Sequence, residues 1–132
     1  MLLHAALYNA SMYGRKDIVE LLLAKGVDPN LIDTFSETAL MISSATGHTS
    51  VAKALIAQGA NVDMRDIDGY TALTYAAYHG HKEAVKLLLS HKCDVNLQNN
   101  DGSTALFLPS QVCCLFNFIL FFLLNSLFFF FY

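Results

Sequence analysis

An all-α solenoid of helix–turn–helix units joined by protruding β-hairpin loops is the architecture expected of this chain, and three observations predict it. A 17-residue phrase recurs three times at an interval of 33 residues: GRKDIVELLLAKGVDPN from Gly14, GHTSVAKALIAQGANVD from Gly47 and GHKEAVKLLLSHKCDVN from Gly80. A second phrase stands upstream of the later copies and opens once more near the end: ETALMISSAT from Glu37, YTALTYAAYH from Tyr70 and STALFLPSQV from Ser103. Within both phrases the apolar residues recur at helical spacing. Self-similarity at a fixed period decides architecture before any single residue does, because a small unit cannot bury its apolar face alone and must stack on its neighbours.

The elements follow in chain order. The start, MLLHAALYNAS, has no basic leading region and only a short apolar run, and it falls in register with the repeat. It therefore reads as a helix and not as a signal peptide. Ile18, Val19, Leu22 and Leu23 then form an apolar stripe, with Lys16, Asp17, Glu20 and Lys25 mostly on the other face. This is an amphipathic helix, and Ala84, Val85, Leu88 and Leu89 repeat its stripe, with Lys82, Glu83 and Lys86 opposite.

The shorter helix of each unit is small and apolar. Thr71 is its expected N-cap, since a threonine hydroxyl accepts from a backbone N–H of the first turn. Ala76 and Ala77 let neighbouring helices approach closely, and Gly80 ends the helix, because glycine tolerates the left-handed conformation there. Between units, Asp66-Ile67-Asp68-Gly69 and Asn99-Asn100-Asp101-Gly102 both end in Asp-Gly, a strong turn signal. Asp28-Pro29-Asn30 and Asp94-Val95-Asn96 mark the other arm of the same connection.

A 33-residue unit with T-A-L, paired alanines, G-H, a leucine-rich run and G-A-N-V-D resembles the ankyrin repeat. Where that family usually has T-P-L-H, alanine replaces the proline at Ala39, Ala72 and Ala105. The resemblance covers residues 1–108, as units of about 1–32, 33–65 and 66–98 and a partial unit over 99–108. In the first unit Ala5 stands at the position of Thr38 and Thr71, so the leading hairpin arm is missing. In the fourth, Pro109 stands where the family has a mid-helix alanine, and a proline inside a helix costs about 3 kcal/mol. Three units lie close to the minimum for stability, and neither end carries a polar cap, so a marginal fold is expected, either a fragment or one supported by a partner.

Residues 109–132 form an uncharged, Phe-rich tail. The chain is 55% hydrophobic and only 14% charged, with a mean hydropathy of +0.42, against about 25% charged in an ordinary soluble domain. The excess is concentrated: residues 106–132 hold nine of the ten phenylalanines and no charged side chain. Residues 112–131 have the length that spans a bilayer as a helix, with Cys113 and Cys114 at its entrance as palmitoylation candidates. No lysine or arginine follows Lys92, so orientation signals are missing. Three readings of the tail stand: a membrane anchor that leaves the repeats facing the cytosol, an accidental extension, and a buried cap over the last repeat.

No catalytic constellation is present: neither G-x-S-x-G, nor H-E-x-x-H, nor G-K-[ST] occurs. A non-enzymatic chain without cofactor or metal is expected. The segment from Asp63 through Asp66 and Asp68 to Gly69 superficially resembles a calcium loop, but Tyr75 stands where its glutamate belongs, so it reads as a turn. His48 and His81 recur at one repeat position and read as structural, and no third metal ligand is apparent beside His79 and His81. Cys93 takes the place of Ala60 and reads as a buried thiol; the cysteines show no disulfide framework and agree with a reducing, cytoplasmic location. The net charge of −3 gives no footprint for nucleic acid.

The resemblance implies a protein partner bound by the hairpin tips and the exposed face of the short helices. By register that surface comprises Tyr13, Phe35, Glu37, Ile67, Asp68, Tyr70, Tyr78, His79 and Asp101, together with Met12, Thr34, Ala45, Thr46, Asn100 and Ser103. Phe35, Ile67 and Tyr70 occupy turn positions where small polar residues are the rule, and aromatics are enriched at interface hot spots. The resemblance also implies that Asn96 stands at a position open to asparaginyl hydroxylases; as a turn residue it equally serves to stabilise the hairpin.

Overall fold

The computed structural model describes residues 2–104, and in them the 33-residue period becomes three antiparallel helix pairs. The inner helices are α1 (Leu2–Met12), α3 (Ala39–Thr46) and α5 (Ala72–Tyr78), and the outer helices are α2 (Lys16–Ala24), α4 (Thr49–Ala57) and α6 (Lys82–Ser90). Each inner helix packs on the next inner helix, each outer helix on the next outer one, and the members of each pair on one another. Among the described residues there is no strand; antiparallel bridges at Ile32–Thr38 and Gln98–Thr104 hold the first and third hairpins. The partial fourth unit is described only as far as Thr104, and the tail with its residues 112–131 lies outside the described residues.

The helix starts follow from capping. Thr38 accepts from the Met41 N–H at 3.2 Å and Thr71 from the Thr74 N–H at 3.4 Å. In return the Thr38 N–H donates to Met41 Sδ at 3.4 Å and the Thr71 N–H to Thr74 Oγ1 at 3.3 Å, so each cap is reciprocal. Helix α1 has Ala5 at this position and no such brake, and it runs to 11 residues where α3 and α5 have 8 and 7.

Packing repeats in columns. Leu7, Leu40 and Leu73 are all but inaccessible, as are Val19, Ala52 and Val85. The close approach of inner helices uses small residues throughout: Ala10 and Ser11, then Ser43 and Ser44, then Ala76 and Ala77 are buried in register. The hydroxyls of Ser43 and Ser44 donate to the Leu40 carbonyl at 3.1 and 2.7 Å, which lets serine stand in an alanine column.

Within the apolar stripe of α2, Ile18 is 49% exposed, whereas Val51 and Ala84 at the same repeat position are fully buried. Those two are covered by the preceding unit. Ile18 lies on the first described unit, and no described residue takes that place. Helical periodicity identifies the apolar face but not which flank of it a neighbour covers.

Connections between units are polar and directed. The Asn61 N–H donates to Asn30 Oδ1 and the Asp94 N–H to Asp63 Oδ1, both at 2.7 Å. The Ile67 N–H donates to the Phe35 carbonyl and the Asn100 N–H to the Asp68 carbonyl, both at 2.8 Å. On the helical side, the His81 ring lies over Gly47, and its Nε2 is 2.9 Å from the Ala45 carbonyl oxygen. Gly47 ends α3 at φ 77°, and a Cβ built there would stand 2.6 Å from His81 Nδ1. A Cβ at Gly26, at φ 86°, would meet no side chain or backbone within 4 Å among the described residues.

That contrast makes a prediction. Gly26→Ala costs about 1 kcal/mol in urea unfolding from its left-handed backbone alone, and Gly47→Ala costs at least about 1 kcal/mol more from the added clash. The increment disappears in a His81→Ala background; if it persists, the His81 ring is not what restricts position 47.

Candidate functional site

The hairpin tips are built by one side-chain knot used three times. Asp33 Oδ1 accepts the N–H groups of Phe35 and Glu37 at 2.8 and 2.9 Å. Asp66 Oδ1 accepts those of Asp68 and Tyr70 at 2.9 and 2.8 Å, and Asn99 Oδ1 those of Asp101 and Ser103 at 3.0 and 2.8 Å. A short carboxylate or amide that folds back onto N–H groups two and four residues ahead replaces the bonds a longer ladder would make. The knot turns the intervening side chains outward: Phe35 is 60% and Ile67 59% exposed, on adjacent tips joined backbone to backbone. Ser36 takes φ 60° where the other two tips have Gly69 and Gly102, a conformation that costs a non-glycine residue about 1–2 kcal/mol.

Beneath the second tip, Asp68 and Tyr70 from the hairpin meet Thr74, Tyr75, Tyr78 and His79 from α5 and its end. Together they line a groove of about 300 Å³. The Tyr70 and Tyr75 rings are 6.3 Å apart with planes 69° to each other, and the Tyr78 and His79 rings meet edge to face at 5.2 Å. Four residues mapped from the repeat register, Asp68, Tyr70, Tyr78 and His79, thus share one concavity.

The groove floor is held by a chain of phenols and carboxylates. Tyr75 Oη lies 2.7 Å from Asp66 Oδ2 and 3.0 Å from Glu37 Oε1, and the Tyr8 hydroxyl donates to Glu37 Oε2 at 2.7 Å. This network links α1 to α5 through the hairpin residues Glu37 and Asp66. A phenol has one proton, so Tyr75 donates to one carboxylate at a time. Burial, reinforced by hydrogen bonds to Asp66 and Glu37 and by their negative charge, raises the Tyr75 pKa well above the ordinary tyrosine value. Burial, and then Glu37, does the same for Tyr8. Asp66 therefore serves twice, one oxygen knotting its hairpin and the other anchoring Tyr75.

The other sequence-mapped residues lie elsewhere. Glu37 is half-buried below the tips, with its carboxylate bonded to the two phenols. Tyr13 lines a separate shallow depression of about 450 Å³ with Ala6, Asn9, Ala10, Arg15 and Ile18, on the side of the stack where the first described unit stands open. Asp101 is exposed on the third tip. Tyr75 and Thr74 were missed; Tyr75 replaces Asn9 and Ile42 at its repeat position, and that departure from the repeat was the available signal.

Cys93 is buried, and its thiol pKa is pushed up to about 12 by that burial and by Asp63 and Asp94, which suits a packing role and not a nucleophilic one. His79 and His81 stack at 6.4 Å. Among the described residues no group of three His, Cys, Asp or Glu side chains is placed to hold a metal ion. Asn96 is exposed, and its N–H donates to Asp94 Oδ1 at 2.9 Å. It is third in the column of Asn30 and Asp63, both of which bind the backbone of the following unit.

Stacked helix pairs, outward hairpins and a groove along the inner helices define a repeat-built scaffold in which one unit is used again and again. The chain belongs to the ankyrin-repeat family: the family model described as Ankyrin repeats (3 copies) matches residues 3–99 and 53–124. No curated protein matches the chain. Ankyrin repeats generally mediate protein–protein interaction and are typically non-enzymatic. Among the described residues no helix is long and apolar enough to cross a membrane.

The phenol–carboxylate chain has a sign that can be checked. A phenol pKa raised by folding stabilises the native state fully below the unfolded value near 10, and that contribution is lost as pH rises above it. Alkaline unfolding followed by helicity and by tyrosinate absorbance is expected to show stability falling from about pH 10 upward. Combining Tyr8→Phe with Tyr75→Phe flattens that fall and lowers stability at neutral pH by about 1–3 kcal/mol. An unchanged alkaline slope in the double variant rules the two phenols out as its source.

Proposed function

We propose that the chain is a non-enzymatic interaction module whose repeat region, residues 1–108, holds a protein partner against the hairpin tips and the inner-helix groove. The proposed binding residues are Phe35 and Ile67 at the tips, Asp68, Tyr70, Tyr78 and His79 in the groove, and Tyr13, Glu37 and Asp101 at the margins. One observation carries the reading: four residues that the repeat register and the family resemblance mark as surface line a single groove beside two exposed apolar tips. Phe35 and Ile67 leave more than half of their surface exposed on adjacent polar turns, which supports an apolar contact site there. The phenol–carboxylate chain fixes the groove floor, so a partner meets a surface that is already ordered.

The reading places the repeats in the cytoplasm. A second one adds a tether, in which the uncharged residues 112–131 hold the repeats at the cytosolic face of a membrane; its support is the length and composition of that segment. Under the tether, the full chain resists alkaline carbonate extraction of membranes, and release into the soluble fraction rejects it.

Phe35→Ala combined with Tyr70→Ala is expected to weaken capture of partner proteins by about tenfold or more, as loss of two interface aromatics does, with far-UV helicity unchanged. Loss of helicity instead assigns both side chains to packing.

A further inference from the structure

We propose that the groove under the second hairpin receives an arginine or lysine side chain from a basic segment of the partner. The inference rests on the interaction-module reading and names the chemistry of its ligand.

The charges of this molecule are segregated by the repeat. The connecting segments 27–38, 60–71 and 93–104 carry eight acidic residues and one basic residue, a formal charge of −7. The outer helices with their turns, 14–26, 47–59 and 80–92, carry seven basic and three acidic residues, a formal +4. The inner-helix segments 1–13, 39–46 and 72–79 have no charged residue. The hairpin side is thus strongly acidic although the chain as a whole is close to neutral. Several of those carboxylates also knot the hairpins, but accepting an N–H bond leaves their charge in place. The single cation, Arg65, bonds to the carbonyl oxygens of Gly69 and Gln98.

The groove suits a cation locally as well. Among the described residues no aliphatic side chain lines it; three phenols, an imidazole, a hydroxyl and a carboxylate do. The Tyr70 and Tyr75 rings, set 69° apart, form two walls of a corner, and Tyr78, 55% exposed, stands on the same helix near the rim. Aromatic faces attract cations, most strongly where water is partly excluded. Asp68 at the mouth supplies the counter-charge, with Asp66 and Glu37 behind Tyr75. The volume, about 300 Å³, lies at the bottom of the range for ligand pockets and suits one side chain. An acidic or phosphorylated ligand would enter against the field of the hairpins, and an apolar one would leave the carboxylates unpaired.

The test uses the full chain and a fluorescein-labelled Gly–Ser peptide with spaced arginines, beside matched peptides with lysine, citrulline or glutamate in their place. Fluorescence anisotropy at low salt is expected to show the arginine and lysine peptides bound about tenfold more tightly than the citrulline peptide, and the glutamate peptide unbound. Tyr78→Phe keeps the affinity, while Tyr78→Leu and Asp68→Asn each lower it by about three- to fivefold, with helicity unchanged. Equal binding of the arginine and citrulline peptides overturns the inference, as does equal affinity in the Tyr78→Leu chain. The two readings fail separately. If partner capture depends on Phe35 and Tyr70 but the arginine peptide neither binds nor competes, the module stands and the cationic ligand falls. If the peptide binds through Tyr78 and Asp68 while capture ignores the hairpins, the cationic site stands and the module reading falls.

Discussion

No unit of this molecule has a core of its own, and everything else depends on the seam where one helix pair lies on the next. A two-helix unit has too little interior to offset its conformational entropy. The columns Leu7–Leu40–Leu73 and Val19–Ala52–Val85 become inaccessible only because a neighbour closes over them. The small residues at Ala10, Ser43 and Ala76 set how closely that neighbour can come. Each fully buried leucine or valine contributes about 1.5–3 kcal/mol relative to exposure, so most of the apolar stabilisation of the stack belongs to its seams.

The groove is a by-product of the same arrangement. Seams bring the inner helices side by side, and the aspartate and asparagine knots hold the hairpins away from them, leaving a concavity along their exposed edge. The recurring residues create this space, and residues that do not recur fill it. Tyr75 replaces an isoleucine and an asparagine at its position, and its phenol reaches Glu37 of the preceding unit and Asp66 of its own hairpin. A scaffold built from repeats acquires an individual surface where the repeat is broken.

That division explains what the amino-acid sequence disclosed. Helix positions, the Thr71 cap, the glycine stops and the Asp-Gly turns follow from local rules and were legible, because each depends on residues within a few positions. The repeat register placed Asp68, Tyr70, Tyr78 and His79 on one side of the chain. Local rules could not reveal the Glu37–Tyr75 contact, which spans 38 residues. They also could not tell that Ile18 stays half-exposed, since an apolar stripe is the same whether or not a neighbour covers it. The 60% exposure of Phe35 was readable from its turn position, while the serine at φ 60° beside it was not.

The pairing of His81 with Gly47, and of His48 with Gly14 in the same geometry, bears on symmetry. One unit presents a bare backbone and the next supplies the ring, so the two surfaces in contact are different. Such an interface is heterologous, so no two-fold axis completes it when two units have met. A two-fold interface is satisfied once two copies have met; this one always leaves a donor face at one end and an acceptor face at the other. The geometry of the seam therefore sets no limit to the number of units. That number is written only in the length of chain over which glycine and histidine keep their spacing.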